Sequence, residues 1–358
     1  MRVLLTGHKG YIGSVLAPML LDAGHEVTGL DNGLFEDCIF GHQPAHLAEL
    51  RRDVRDVTAS ELEGYDAVLH LAALSNDPLG DFNPQWTYEI NYVGSVRLAQ
   101  LAKQVGIPRF LYASSCSLYG LAAGQEMLKE DAPFNPITPY AESKVRVEHE
   151  VMKLADAGFS PTYLRNSTAY GVSPRLRADV VVNNMTGVAF TTGEVLIKSD
   201  GTPWRPFVHV EDIARAFLAV LHAPRELVHN QAFNVGSSKE NYQIREVADM
   251  VREIVPGSRI WYAEGAGPDP RCYQVDCSKI ASTLPEFRPQ WTVRRGIQQL
   301  YAAFKKYGTT AAEFESDRYT RLKHLRKLMD EGQLDESLRW REPAARSTAG
   351  GVWAPAAR

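Results

Sequence analysis

Tyr140 and Lys144 stand four positions apart in Tyr140-Ala141-Glu142-Ser143-Lys144, with Ser114-Ser115 upstream. On a helix this spacing puts the phenol and the ammonium on one face. A free tyrosine holds its proton to about pH 10, too high for a base at neutral pH. A neighbouring ammonium, joined by the positive ring of an oxidised nicotinamide, would stabilise the phenolate and lower that value. The chemistry on offer is removal of a proton from a hydroxyl while hydride leaves the same carbon. The Ser115 hydroxyl would polarise the developing carbonyl. Tyr-x-x-x-Lys also arises by chance on amphipathic helices, so its meaning depends on a dinucleotide site beside it.

Such a site is written at the start of the chain. Thr6-Gly7-His8-Lys9-Gly10-Tyr11-Ile12-Gly13 follows the apolar run Arg2-Val3-Leu4-Leu5 and precedes a helical pattern. Gly7 allows the tight turn, Gly10 lets backbone approach phosphate, and Gly13 lets helix pack on strand. Backbone N–H groups and the positive helix end then face a pyrophosphate. Three glycines alone are weak, since a plain strand-turn-helix needs them too. Asp31 ends the second strand, at about the offset where a carboxylate takes the adenosine ribose hydroxyls. A carboxylate there repels a 2′-phosphate and favours NAD over NADP; a loop cap before Asn32-Gly33 is its structural alternative. Asp53, in Arg52-Asp53-Val54, either approaches the adenine amine or is an ordinary loop acid.

The elements needed to position these groups are legible as alternation. Strands are expected at Arg2–Leu5, Glu26–Leu30, Ala67–Leu71, Arg109–Ala113 and Pro161–Leu164, with helices at Ile12–Ala23, Asn91–Val105 and Pro139–Ala157. This pattern argues for an α/β fold, a doubly wound parallel (Rossmann) sheet with helices on both faces. The expected layout is an NAD-binding domain over 1–171, with 207–238 returning to it, and a smaller interleaved substrate lobe over 172–206 and 239–304. A C-terminal helical extension over 305–342 and a flexible tail over 343–358 follow. Phe314, Tyr319, Leu322, Leu325 and Leu328 share a helical face in that extension, which reads as a docked helix with a solvated basic side rather than a membrane-surface helix.

The bulk numbers exclude other classes. The 358 residues are 44% hydrophobic and 23% charged, as in ordinary globular proteins, and the net charge of -4 makes no case for nucleic acid. No apolar run reaches the roughly 20 residues of a membrane span. With the first strand beginning at residue 2, no signal peptide is expected, and the expected location is cytoplasmic. Cys38, Cys116, Cys272 and Cys277 have no disulfide or zinc spacing, so free thiols and no metal site are expected.

Taken together, Thr6-Gly7-x-x-Gly10-x-x-Gly13, Asp31-Asn32, Asp53-Val54, His70-Leu71-Ala72-Ala73, Asn91, Ser114-Ser115-Cys116-Ser117-Leu118-Tyr119-Gly120, Tyr140-x-x-x-Lys144, Phe207-Val208-His209-Val210-x-Asp212 and Asn234-Val235-Gly236 resemble the extended short-chain dehydrogenase/reductase family, nucleotide-sugar epimerase branch. The resemblance covers about residues 1–300. It implies a tightly held NAD, contacted by Gly7, Gly10, Tyr11, Ile12, Gly13, Asp31, Asn32, Asp53, Val54, Leu71, Ala72, Ala73, Asn91, Ser114, Tyr140 and Lys144. It implies a catalytic Ser115, Tyr140 and Lys144, a nucleoside-diphosphate sugar as substrate and a homodimer. Substrate contacts are expected from Ser115, Cys116, Ser117, Thr168, Asn183, Arg205 and Arg271, with Arg205 on the diphosphate.

Two departures sharpen the expectation. Dehydratases of this family carry Asp-Glu where this chain has Cys116-Ser117, and decarboxylases carry Glu at Ser117. The expected reaction is therefore epimerisation by transient oxidation at the sugar C4. Reduction of an NDP-4-keto sugar with exchangeable NAD(P)H is the alternative. Thr168 stands where relatives commonly place an asparagine, and the stretch around Asn183-Asn184 matches no particular sugar pattern. His70 and His209 are expected to be structural, and Trp204 either stacks on a base or packs.

Overall fold

The computed structural model describes residues 1–75, 77–121, 126–265, 267, 269 and 271–341; the tail expected over 343–358 lies outside them. Among the described residues the strands are β1 (Arg2–Thr6), β2 (Glu26–Asp31), β3 (Ala48–Arg51), β4 (Ala67–His70), β5 (Arg109–Ser115), β6 (Ser160–Asn166), β7 (Thr168–Tyr170), β8 (Glu194–Ile197), β9 (Trp204–His209), β10 (Gln231–Val235), β11 (Asn241–Gln243) and β12 (Arg259–Tyr262). Seven of them form one parallel sheet in the order β10-β6-β5-β4-β1-β2-β3. All residues of β4 and β6 are buried, as expected of parallel strands covered on both faces. Alternation divides the core: Val3 and Leu5 of β1 pack into one apolar cluster with Leu69 and Leu111, while Leu4 packs into another with Val68 and Phe110.

The chain leaves β1 toward β2 and β3, then crosses back so that β4 lies on the other side of β1. Ligands of open α/β sheets bind in the crevice at such a reversal, beyond the carboxyl ends of the strands. Gly7 and Leu71, which directly follow β1 and β4, stand at this point.

The five expected strands are present; the strand end read at Phe233-Asn234-Val235 is β10 at one edge of the sheet, and β3 is added at the other. Of the segment 207–238 expected to return, the first residues belong to β9, which pairs with β7 and β11 in a separate three-stranded sheet, and β10 rejoins the large sheet. The helix expected over Asn91–Val105 is Ser95–Gln104, preceded by a π-helical turn over Tyr88–Gly94. Helix Pro139–Met152 begins with Thr138, whose hydroxyl accepts from Ala141 N at 3.2 Å, and with Pro139 in its first turn. Both are N-terminal signals, and they place Tyr140 in the first turn of the helix.

A third apolar cluster, including Phe40, Tyr170, Val195, Phe207, Val247, Ile297 and Phe304, underlies the second lobe. The extension continues as helices Ala311–Phe314 and Arg321–Asp330. Leu325, Leu328, Leu334 and Leu338 are buried with Leu34, Val54 and Trp86, so the extension docks on the nucleotide-binding half. Among the described residues no helix is long and apolar enough to cross a membrane.

Candidate active site

A cleft of about 1390 Å³ opens at the carboxyl ends of β1 and β4 and continues toward the second lobe. Single ligand sites enclose about 300–1,000 Å³, so this cleft has room for more than one small molecule. Gly7, Gly10, Tyr11, Ile12 and Gly13 line one end. Gly7 has φ +74, and a Cβ there would stand 2.7 Å from Ala72 N; a Cβ on Gly13 would stand 2.2 Å from Gly7 O. The turn is thus closed against any side chain, and helix Gly13–Asp22 starts directly behind it.

Asp31 lines the cleft and caps its loop. Its Oδ2 accepts from Lys9 N at 3.1 Å and its Oδ1 from Gly33 N at 2.8 Å. Lys9, whose backbone N donates to Asp31, has its Nζ paired 3.0 Å from Glu36 and 2.9 Å from Glu49. Asp53 caps the turn Val54–Asp56 and pairs with Arg55 at 2.7 Å. Asn32, Asp53, Val54, Leu71, Ala72, Ala73 and Ser114 share the same wall.

Ser115, Tyr140 and Lys144 meet further along the cleft. Burial pushes the Tyr140 phenol up to about 12, against the nearby Ser115 hydroxyl and the charge of Arg177, which favour the phenolate. Lys144 is buried; its Nζ donates to Ala113 O at 2.7 Å and lies 5.6 Å from the Tyr140 ring centroid. Burial lowers its pKa to about 7, opposed by the charge of Glu148. The chain by itself therefore leaves the phenol protonated at neutral pH. A further positive charge in the cleft is needed to make it a base.

Beyond the triad lie two arginines already paired with acids. Arg205 is 2.9 Å from Asp269, and Arg271 is 2.8 Å from Asp269 and 2.6 Å from Asp77. All four residues line the cleft, as do Ser117 and Thr168.

Three expected contacts are corrected, because their side chains do not line the cleft. Asn91 holds the loop after β4, accepting from Leu74 N at 2.8 Å and donating to Leu74 O at 3.0 Å. Asn183 accepts from Gly171 N at 2.9 Å and donates to Tyr11 OH at 3.1 Å and Arg177 O at 3.0 Å. The Cys116 thiol is buried at 3.1 Å from Arg165 O, and burial pushes its pKa up to about 12. His70 is structural, bonded to Thr6 and Ser95 at 2.7 Å each and kept neutral by burial, its pKa lowered to about 3. His209 bonds Gln299 at 2.8 Å, and Trp204 lies outside the cleft wall.

Several lining residues had no sequence signal. Arg177 pairs with Asp179 at 2.8 Å, donates to Ser75 Oγ at 3.0 Å and acts electrostatically on Tyr140. Asp269 and Phe35 from loops, Asp77 from the start of helix Asp77–Phe82 and Arg321 from the extension likewise line it. Only the burial of arginines in a loop could have flagged Arg177, and burial is not visible in a loop's composition.

The sequence profile of the NAD dependent epimerase/dehydratase family matches residues 3–236. The chain belongs to this family. Among its relatives it is 31% identical over 318 residues to the UDP-glucose 4-epimerase of Mycolicibacterium smegmatis, covering 85% of this chain and 99% of that one. It is 27% identical over 316 residues to UDP-glucuronic acid decarboxylase 1 of Arabidopsis thaliana, covering 85% of this chain and 70% of the relative. Among solved structures it is similar to MoeE5 in complex with UDP-glucuronic acid and NAD, at 28% identity and a TM-score of 0.74, over 86% of this chain and 99% of that one.

As a member of the epimerase/dehydratase family the protein is an NAD-dependent enzyme. The cleft fits that cofactor: the glycine turn leaves space only for a close backbone approach, and Asp31 presents a carboxylate in the same wall. Gly13→Ala tests the fit. The added methyl meets backbone at 2.2 Å, an overpacking that costs on the order of 1–3 kcal/mol. The variant should hold NAD about tenfold or more weakly, read as nucleotide released from the purified, denatured protein. Wild-type NAD content in that variant would refute the assignment of the turn.

Proposed function

We propose that this family member is an epimerase of a nucleoside-diphosphate sugar, acting by transient oxidation at C4. The observation that carries the reading is the convergence of Ser115, Tyr140 and Lys144 on the wall that also holds the glycine turn and Asp31, with Lys144 Nζ 5.6 Å from the Tyr140 ring centroid. The names of the relatives, a UDP-glucose 4-epimerase among them, support the same substrate class.

In this mechanism Tyr140 takes the proton of the C4 hydroxyl, and Ser115 holds the oxygen as it becomes a carbonyl. Bound NAD supplies the hydride acceptor and then the donor, so no second substrate is consumed. Lys144 and Arg177 favour the phenolate electrostatically. The diphosphate recruits Arg205 and Arg271, exchanging their carboxylate partners for phosphate oxygens. The 4-keto sugar turns within the cleft, and Tyr140 returns the proton after hydride reaches the other face.

Elimination and decarboxylation have less support. Cys116 is a buried thiol with a raised pKa and Ser117 a hydroxyl, so neither supplies an acid after Ser115. Reduction of a 4-keto sugar by exchangeable NAD(P)H uses the same triad and is the competing reaction. The test is incubation of the purified protein with a panel of UDP-, dTDP- and GDP-sugars, with no added cofactor, read by NMR. One of them should convert to its C4 epimer. Turnover only of a 4-keto sugar, and only with added NADPH, would overturn the reading in favour of the reductase. A cytoplasmic homodimer, paired through the helices near 91–105 and 139–157, belongs to the same proposal and is checked by sedimentation.

A further inference from the structure

The extension beyond residue 305 is fastened to the cofactor end of the cleft. Trp340 Nε1 donates to Asn32 O at 2.6 Å, and His324 Nε2 donates to Leu34 O at 2.9 Å. Arg55 Nη1 donates to Ser337 O at 2.9 Å, and Trp86 Nε1 to Glu336 O at 2.6 Å. Asn32 and Leu34 line the cleft, as do Asp53 and Val54 beside Arg55. These contacts link residues nearly a whole chain apart, so the extension is built to this edge and not merely adjacent to it. The Mycolicibacterium relative is matched over 99% of its own length but only 85% of this chain, so this chain carries residues that relative lacks.

Between its anchors the extension delivers Arg321 to the cleft wall. Arg321 is 5% exposed. Its guanidinium carbon lies 4.1 Å over the Phe35 ring, and its Nη2 donates to Arg175 O at 3.4 Å. Its Nη1 has no hydrogen-bond partner among the described residues, nor have Nε and Nη1 of Arg175, which is 4% exposed. Arg321 feels Arg175 and Arg177 as like charges and Asp179 as an opposite one, and burial lowers its pKa to about 10.

The backbone that carries Arg175 is tied to the glycine turn. Ser173 Oγ donates to Tyr11 O at 2.8 Å and meets Ser14 Oγ at 3.0 Å, and it accepts from Arg175 N at 3.1 Å. Arg175 and its neighbours are thereby fixed beside the start of helix Gly13–Asp22. Buried cationic donors without partners are costly, and an anion with several oxygens satisfies them. Arg205 and Arg271, in contrast, already have carboxylate partners.

We propose that Arg321 binds the diphosphate of the dinucleotide, and that the extension is a strap holding that cofactor in the cleft. The proposal rests on NAD occupying the glycine turn. Release of NAD from the purified holoenzyme is followed over time for the wild type and for R321Q, R321K and W340A. The emptied proteins are then titrated with ADP-ribose, adenosine and UDP. R321Q should speed NAD release and weaken ADP-ribose binding by about tenfold or more, with adenosine binding unchanged and R321K intermediate. W340A, which loosens an anchor only, should speed release as well. Wild-type protein that binds neither NAD nor ADP-ribose would defeat the cofactor assignment itself. With that binding intact, the strap is overturned by unchanged release in R321Q and W340A. Equal losses for adenosine and ADP-ribose in R321Q would make Arg321 a packing residue, and a loss confined to UDP would assign it to the substrate; either result overturns the proposal.

Discussion

Tyr140→Phe is expected to cut turnover by about 10²- to 10⁴-fold, the range for removing a positioned general base, while NAD stays bound. The substitution deletes the phenolic oxygen and leaves the ring, so the wall of the cleft keeps its shape. Buried in the absence of cofactor, the phenol is pushed up to about 12 and is protonated at neutral pH. Activity therefore requires positive charge to be assembled around it. The sign follows directly: the reactive form is the phenolate, so kcat/KM rises with pH until the tyrosine of the charged holoenzyme titrates. Lys144→Met removes one of the charges and should move that rising limb to higher pH, with NAD content measured alongside. A limb at the same pH in Lys144→Met would mean that Arg177 and the cofactor suffice. Near-normal turnover in Tyr140→Phe would remove the tyrosine as base.

The features legible in the sequence are those whose chemistry is local. Three glycines at a strand-to-helix turn, an acid at the end of β2 and a Tyr-x-x-x-Lys pair on one helical face each act within a few residues of themselves. The strands β1, β4 and β5 were legible because burial on both faces gives them continuous apolar runs. β3 was missed because Ala48, Glu49 and Arg51 are exposed at the sheet edge, which leaves no apolar pattern. The remainder of the site depends on distant pairings. Arg271 meets Asp77 across 194 positions and Trp340 meets Asn32 across 308, and neither spacing leaves a trace in composition. The same blindness runs the other way. Asn91, Asn183 and Cys116 had the right chemistry for ligands, but backbone groups within the fold occupy them.

Arg165→Leu is expected to destabilise the protein by about 3–5 kcal/mol, the cost of stripping one partner from a buried ion pair. Arg165 Nη2 lies 2.7 Å from Glu148, with side chains 5% and 1% exposed. The arginine also donates to Tyr119 OH at 3.0 Å and to Glu130 O at 2.8 Å. Glu148 lies one turn beyond Lys144 and accepts from Ser114 Oγ at 2.5 Å, next to Ser115. The pair thus joins β5, β6 and helix Pro139–Met152 behind Ser115 and Lys144. Urea unfolding of Arg165→Leu should show the loss, and the double variant Glu148→Leu/Arg165→Leu should recover most of it, since no buried charge is then left alone. The double variant also separates stability from positioning. If the pair orients Ser115 and Lys144, kcat falls in a protein that unfolds at nearly the wild-type urea concentration, with KM little changed. A single variant losing less than about 1 kcal/mol, the worth of an exposed pair, would show that water reaches Glu148 and that the buried network does not hold the site.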